Sequence, residues 1–433
     1  MDARGEPLSD PLRHGPGVLV LPAVAVDVAG PASLLAWAAL LCVSALIATS
    51  FAALGSHYPD SGGVSSFVGR AFGDSAATVV GWWLVAAVPA GVVAGAVTAA
   101  GYLGAVFHAT RPALIGIAVS VLGAVYGANL LRLRVSARAQ VVLTALVVAM
   151  LVMVLVVSAP HVDPDNATPF APHGLAGVGS AAAVLFTCVC GWEATANLSA
   201  DFTSARQVRR TALVSVVVVV VLYAGLAVCT VGVLGAQAGR APAPLMRLLG
   251  STESAWTAGA VSMTAVLLTV AASVTFVAAS ARTALSVARR RHPTLLMATH
   301  HSALQRSVTR QSAAAAVVAA AVALTPSLVT VETLMRIFAV LLACVTLAGL
   351  AAAVRLLPTV RHRGCAVTAA LAVGAVTVFA GLFLLAPAAV ATAAMLARRR
   401  RSPEPSSPPL QEKGSRIDDA TSLYAASMKA QIR

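Results

Sequence analysis

Lysine occurs only at Lys413 and Lys429, acidic residues number 16, and charged residues of all kinds make up 11% of the 433-residue sequence. Set against 58% hydrophobic residues, so little charge excludes an ordinary soluble protein, because one or two cores cannot hide that much apolar surface. Aromatic residues are also few, at 5%, and no basic segment is interleaved with them. The net charge of +14 is therefore not the footprint of a nucleic-acid surface. Cysteine is sparse too. Cys42, Cys188, Cys190, Cys229, Cys344 and Cys365 all lie in apolar runs and read as small packing residues, not as a disulfide framework or metal site. The Walker loop and the His-Glu-x-x-His zinc pattern are both missing, and His57, His108, His161, His173, His300 and His301 fall in loops without ligand spacing. No nucleotide, metal or other cofactor is expected. Met1–His14 carries Asp2, Arg4, Glu6, Asp10 and Arg13 and has no apolar centre, so it does not read as a signal peptide.

What the chain does have is long apolar sequence. A helix needs about 20 mostly apolar residues to cross a bilayer. Blocks that qualify are Pro31–Leu54, Ala76–Phe107, Pro112–Leu131, Ala139–Ser158, Gly174–Ser199, Thr211–Leu234, Ala255–Ala288, Ser312–Leu328 and Thr333–Leu356. A further block, Cys365–Ala397, suits two short helices hinged near Gly381–Pro387, and a half-length stretch, Gly15–Gly30, precedes them all. The blocks are too continuous for the alternating pattern of a membrane barrel, and lipid leaves an open strand edge unpaired. An all-α polytopic membrane protein is the expectation. Ala76–Phe107 and Ala255–Ala288 exceed one span and imply long, tilted helices.

Arginine sets the expected orientation. With a cytoplasmic amino terminus, twenty arginines fall on the cytoplasmic side, among them Arg70, Arg132, Arg134, Arg138, Arg289–Arg291 and Arg398–Arg401. Only Arg111, Arg240, Arg247 and Arg336 fall opposite. That bias places both termini in the cytoplasm. Residues 1–14 then read as a cytoplasmic segment, 15–397 as the membrane domain, and 398–433, rich in Pro, Ser and charge, as a disordered cytoplasmic tail.

Two places interrupt apolar helix with residues that unwind backbone: Gly15-Pro16-Gly17-Val18, and Cys190-Gly191-Trp192-Glu193 inside the Gly174–Ser199 block. They occupy corresponding positions in two halves of the chain. Paired breaks of this kind point to a transporter's substrate site, where freed amides can hold an anionic group such as an amino-acid carboxylate. Taken singly, each also fits glycine that merely lets helices pack closely.

The segment Gly15–Val18 with Leu21-Pro22 and Ala29-Gly30-Pro31 resembles the first helix of the amino acid–polyamine–organocation permease family. Leu54–Val64, with Pro59-Asp60-Ser61-Gly62-Gly63, running on to Phe67–Gly73, is similar to that family's signature between the second and third helices. Gly191-x-Glu193 matches its broken sixth helix. The resemblance implies a LeuT-like fold of two inverted five-helix repeats plus two extra helices, about twelve spans in all. It implies a small-molecule amino-acid substrate cradled by Gly15, Pro16, Gly17, Val18, Cys190, Gly191 and Trp192, with side chains such as Trp83 and Ser273 shaping the pocket or simply packing. The branch it most resembles is bacterial permeases that export neutral amino acids such as methionine and branched-chain residues. This implies a bacterial inner-membrane location, and the wealth of arginine and alanine fits a GC-rich bacterial genome.

Acidic residues in spans are costly and invite a functional reading. Glu193, two residues past a break, either exchanges a proton during transport or caps the unwound segment. The family uses a glutamate there in gating or proton sensing. Asp27 reads as interfacial, with a coupling role as the alternative, Glu332 as an exposed helix-start residue, and Arg282 and Arg355 as snorkelling toward water.

One departure stands out at the amino terminus. In the family an apolar half-helix precedes the first break, but here Met1–His14, with its charges and Pro7 and Pro11, stands in that place. Either the chain starts upstream, or the first helix has lost half its length. The second case leaves room for a non-transporting membrane scaffold or sensor derived from a permease. No nucleophile with a base and no paired aspartates stand on the spans, which argues against an intramembrane enzyme. Substrate identity, coupling ion, direction and oligomeric state are open at this point.

Overall fold

The computed structural model describes residues 21–60, 62–131, 137–196, 202, 204–240, 247–248, 255–291, 300–325, 329–378 and 381–399. The chain divides into two compact units, Met1–Ala394 and Met395–Arg433. In the second, only the end of the last helix is described. The segment 1–14, the break expected at Gly15–Val18 and the tail from residue 400 lie outside the described residues.

All regular structure among the described residues is helical. The first unit opens with α1 (Leu21–Ala29), a three-residue 3-10 turn at Gly30, and α2 (Ser33–His57). A short helix α3 (Val64–Phe72) leads into α4 (Asp74–Phe107), followed by α5 (Arg111–Leu130) and α6 (Ala137–Ser158). After two 3-10 turns come α7 (Gly174–Val189), α8 (Trp192–Ala196) and α9 (Ala205–Cys229). The chain continues through α10 (Ala255–Arg291), α11 (His300–Leu324), α12 (Val331–Leu356), α13 (Val360–Val378) and α14 (Leu385–Arg399). Eight helical stretches among the described residues are long and apolar enough to cross a membrane, with α1 and α2 counted as one run.

The apolar blocks of the sequence recur as these helices, with boundaries moved by polar residues. Helix α11 begins at His300, twelve residues before the block expected at Ser312. Within this extension Val308 is 3% exposed, and Gln311, also 3% exposed, accepts from the Ser280 hydroxyl at 2.6 Å. Helix α9 starts at Ala205 because the Ser204 hydroxyl accepts the Gln207 amide at 3.3 Å, capping the first turn. The hinge expected near Gly381 is present: Gly381 has φ +54 and opens the 3-10 turn that leads to α14.

At 1.5 Å per residue, α4 and α10 are about 51 and 55 Å long, well beyond the roughly 30 Å hydrocarbon core. They run antiparallel against each other. A Cβ added at Gly81 would lie 2.4 Å from Val287, and one at Gly95 would lie 3.1 Å from Thr269. Further along, the Ser262 hydroxyl donates to the Tyr102 carbonyl at 3.1 Å. Glycine on α4 thus brings the two longest helices within reach of each other.

Around this pair sits a core built from α2, α3, α7, α12 and α13, with Phe67, Leu54, Leu185, Leu342 and Leu350 fully buried. The outer faces of α6 and α9 instead expose Val152, Val156, Val217 and Val221. Exposed valine in rows suits lipid and would be a liability in water.

The chain between α2 and α4 turns at one end of the bundle. Asp60 accepts the Gly62 amide at 2.8 Å and the Ser66 hydroxyl at 2.9 Å, and its other oxygen lies 3.8 Å from Arg70. Gly63, at φ +55, makes the turn into α3. The Tyr58 hydroxyl donates to the Leu356 carbonyl at 3.4 Å, joining this turn to the end of α12.

Candidate functional site

Helix α7 stops at Val189 because Cys190 turns to extended backbone, φ −68 and ψ 140, and Gly191 takes φ +137. An L side chain rarely adopts that second conformation, so glycine is needed there. Helix α8 restarts at Trp192. The helix expected to break at Cys190–Gly191 is therefore broken there.

Glu193 stabilises the break from within. Its Oε2 accepts the Gly191 amide at 2.7 Å, and its Oε1 accepts the hydroxyl of Thr346 on α12. Both residues are 1% exposed. The Thr346 hydroxyl also lies 2.9 Å from the Leu342 carbonyl. A hydroxyl has one proton and two lone pairs. With Glu193 ionised, Thr346 donates to the carboxylate. With Glu193 protonated, the carboxyl donates to Thr346, and Thr346 donates to Leu342. Either state keeps its partners without repacking.

Beside the break lies a cavity of about 240 Å³. One face of α4 supplies Gly91, Gly95, Thr98 and Tyr102, spaced four, three and four residues apart as helical periodicity requires. Helix α10 faces it with Thr269, Ser273 and Phe276, and α12 with Met335 and Phe338. Cys188 and Cys190 bring the end of α7 to the wall, and Leu21 brings the start of α1. No charged side chain is among these lining residues. Thr98 and Thr269 donate to the carbonyls of Ala94 and Ala265 on their own helices, at 2.9 and 2.8 Å.

The residues singled out in the sequence are distributed as follows. Cys190 lines the cavity, and a Cβ at Gly191 would lie 4.0 Å from the tip of Phe276 on its wall. Trp192 turns the other way: its indole donates to Ser44 on α2 at 2.9 Å and borders a smaller pocket with Phe51 and Phe202. Ser273 lines the cavity, whereas the Trp83 indole donates to the Pro387 carbonyl at 2.8 Å. Asp27 is exposed, and Glu332 is paired with Arg336 at 2.5 Å in the first turn of α12. Arg355 is exposed and lies over the Phe72 ring, 5.4 Å from its centre. Thr346, Phe276, Phe338 and Gly91 were not visible in the sequence as site residues. A threonine or phenylalanine in an apolar span carries no mark of the neighbour it meets.

The amino acid permease family profile matches residues 15–402. The L-methionine/branched-chain amino acid exporter YjeH of Escherichia coli is 36% identical over 224 residues, 51% of this chain and 52% of that protein. The branched-chain amino acid permease BcaP of Bacillus subtilis is 28% identical over 275 residues, 58% of this chain and 59% of that protein. The chain thus spans about half the length of the curated relatives it matches. Among solved structures, MhsT in complex with L-phenylalanine is similar in fold, with a TM-score of 0.58 at 10% identity over 86% of this chain and 97% of that one. The fold is that of a membrane transporter, and the chain belongs to the amino acid permease family.

Proposed function

We propose that the chain is a secondary active transporter of amino acids in the bacterial inner membrane, exporting neutral, hydrophobic amino acids in exchange for protons. The observation that carries this reading is the broken helix α7–α8 bordering an apolar cavity of about 240 Å³ between α4 and α10. That volume lies below the roughly 300–1,000 Å³ of sites for drug-sized ligands and suits one small solute. The wall carries no charge, so a charged side chain would lose its hydration without gaining a partner. A neutral side chain has no such cost. The substrate's carboxylate and ammonium are left to the backbone of the breaks and to polar groups on the cavity wall such as Thr269 and Ser273.

The residues assigned to the cradle are Gly15–Val18 from the first break and Cys190–Trp192 from the second. Gly15–Val18 lies outside the described residues and is assigned from its sequence pattern. Within the second break, Trp192 serves by holding α8 against Ser44, and Cys190 and Gly191 meet the solute. Glu193 is assigned the proton, since it sits at the break with a partner for each protonation state. Arginine bias supports both termini in the cytoplasm, and likeness to an exporter supports the direction.

Everted membrane vesicles containing the full chain test this directly. Labelled L-leucine or L-methionine is expected to accumulate when a proton gradient, acid inside, is imposed, and to leak out when an ionophore collapses it. Accumulation indifferent to the gradient would remove proton coupling, and no accumulation of any neutral amino acid would remove the transport reading.

A further inference from the structure

The cavity wall contains a specific fit between α4 and α12. Gly91 faces the ring of Phe338 so closely that a Cβ there would lie 2.5 Å from Cδ2, 2.7 Å from Cε2 and 3.0 Å from Cγ. Carbon atoms pack at about 3.5–4.0 Å, so the ring occupies the space that a side chain at position 91 would need. The ring also meets Phe276 in an edge-to-face pair, with ring centres 5.8 Å apart and planes at 76°. Phe276 in turn lies 4.0 Å from where a Cβ of Gly191 would stand. The two rings therefore form a continuous aromatic wall from the glycine notch on α4 to the helix break. Helix α12 cannot shift to relieve a crowded Phe338, because Leu334, Leu341 and Leu342 anchor it, at 4%, 2% and 0% exposure. The free space beside the ring is the cavity itself.

Resting on the transport reading above, we infer that Phe338, seated in the notch at Gly91, sets the largest apolar side chain the cavity accepts. An added methyl at position 91 pushes the ring into the cavity and shortens the space for the solute. Removing the ring enlarges that space and makes the residue at position 91 irrelevant. A single methylene in an apolar pocket is worth about 10–200-fold in selectivity, so both changes have readable effects.

The test uses the full chain in liposomes with labelled L-alanine, L-leucine and L-tryptophan, comparing kcat/KM ratios within each variant. Gly91→Ala is expected to lower the leucine-to-alanine ratio about tenfold or more. Phe338→Ala is expected to raise the tryptophan-to-leucine ratio by a similar factor. In the double variant, the Gly91→Ala effect disappears and the ratios match those of Phe338→Ala alone, a coupling that general damage to the fold would not produce. Unchanged ratios in Phe338→Ala overturn the inference, even where Gly91→Ala fails to reach the membrane. So does a Gly91→Ala effect that persists without the ring. Wild-type protein that moves none of the three amino acids would instead sink the transport reading, and this inference with it.

Discussion

Glu193 and Thr346 stand 153 positions apart in sequence, and their side chains are hydrogen-bonded to each other inside the bundle. The bond ties the unwound turn between α7 and α8 to the middle of α12 and is shielded from solvent at both ends. Thr346→Val keeps the shape and removes the hydroxyl, leaving one carboxylate oxygen without this donor. The expected cost is roughly 1–3 kcal/mol of stability, whereas Thr346→Ser stays close to wild type. Thermal unfolding of the detergent-purified variants, followed by size-exclusion fluorescence, measures both. Equal midpoints for Val and Ser would show that the hydroxyl contributes nothing.

Glu193→Gln separates capping from proton exchange. The amide oxygen still accepts the Gly191 amide, and the amide nitrogen donates to Thr346, which donates on to Leu342. The variant therefore imitates the protonated state and holds the break together. Exchange of labelled leucine between the two sides of a liposome is expected to continue, while the response to an imposed pH gradient is lost. A variant that still follows the gradient would reassign Glu193 to capping alone.

Gly349 on α12 packs against both Phe51 of α2 and Val64 of α3, where an added Cβ would lie 2.7 and 2.9 Å from their side chains. Those neighbours are 2% exposed and have no room to retreat. Gly349→Ala is expected to destabilise the bundle by about 1–3 kcal/mol through overpacking. Pairing it with Phe51→Leu, which opens the site, is expected to restore part of that loss in the same unfolding assay.

The helices and the second break were legible because each leaves a local mark. Apolar length announced α4 and α10, and a glycine two residues before a glutamate announced the turn at Gly191. The start of α11 was not, because its opening residues are polar and its tie to α10, the Gln311–Ser280 bond, is a long-range contact. Trp192 shows the same limit. Its place at the break was clear, but its direction is decided by Ser44 on another helix. The partners Thr346 of Glu193 and Phe338 of Gly91 depend on which faces of distant helices meet. Hydropathy averages over a helix face and cannot tell one buried position from the next.

The cavity beside the break is the proposed path of an amino acid through the protein. Counterflow measures this most directly: liposomes holding the full chain are loaded with unlabelled L-leucine and diluted into a trace of labelled L-leucine. The label is expected to rise transiently above that in empty liposomes, and Ser273→Phe, which fills the cavity from α10, is expected to abolish the rise without changing the protein's elution profile. A Ser273→Phe protein with full counterflow, or wild-type protein with none for leucine, methionine or any other neutral amino acid, would contradict the account.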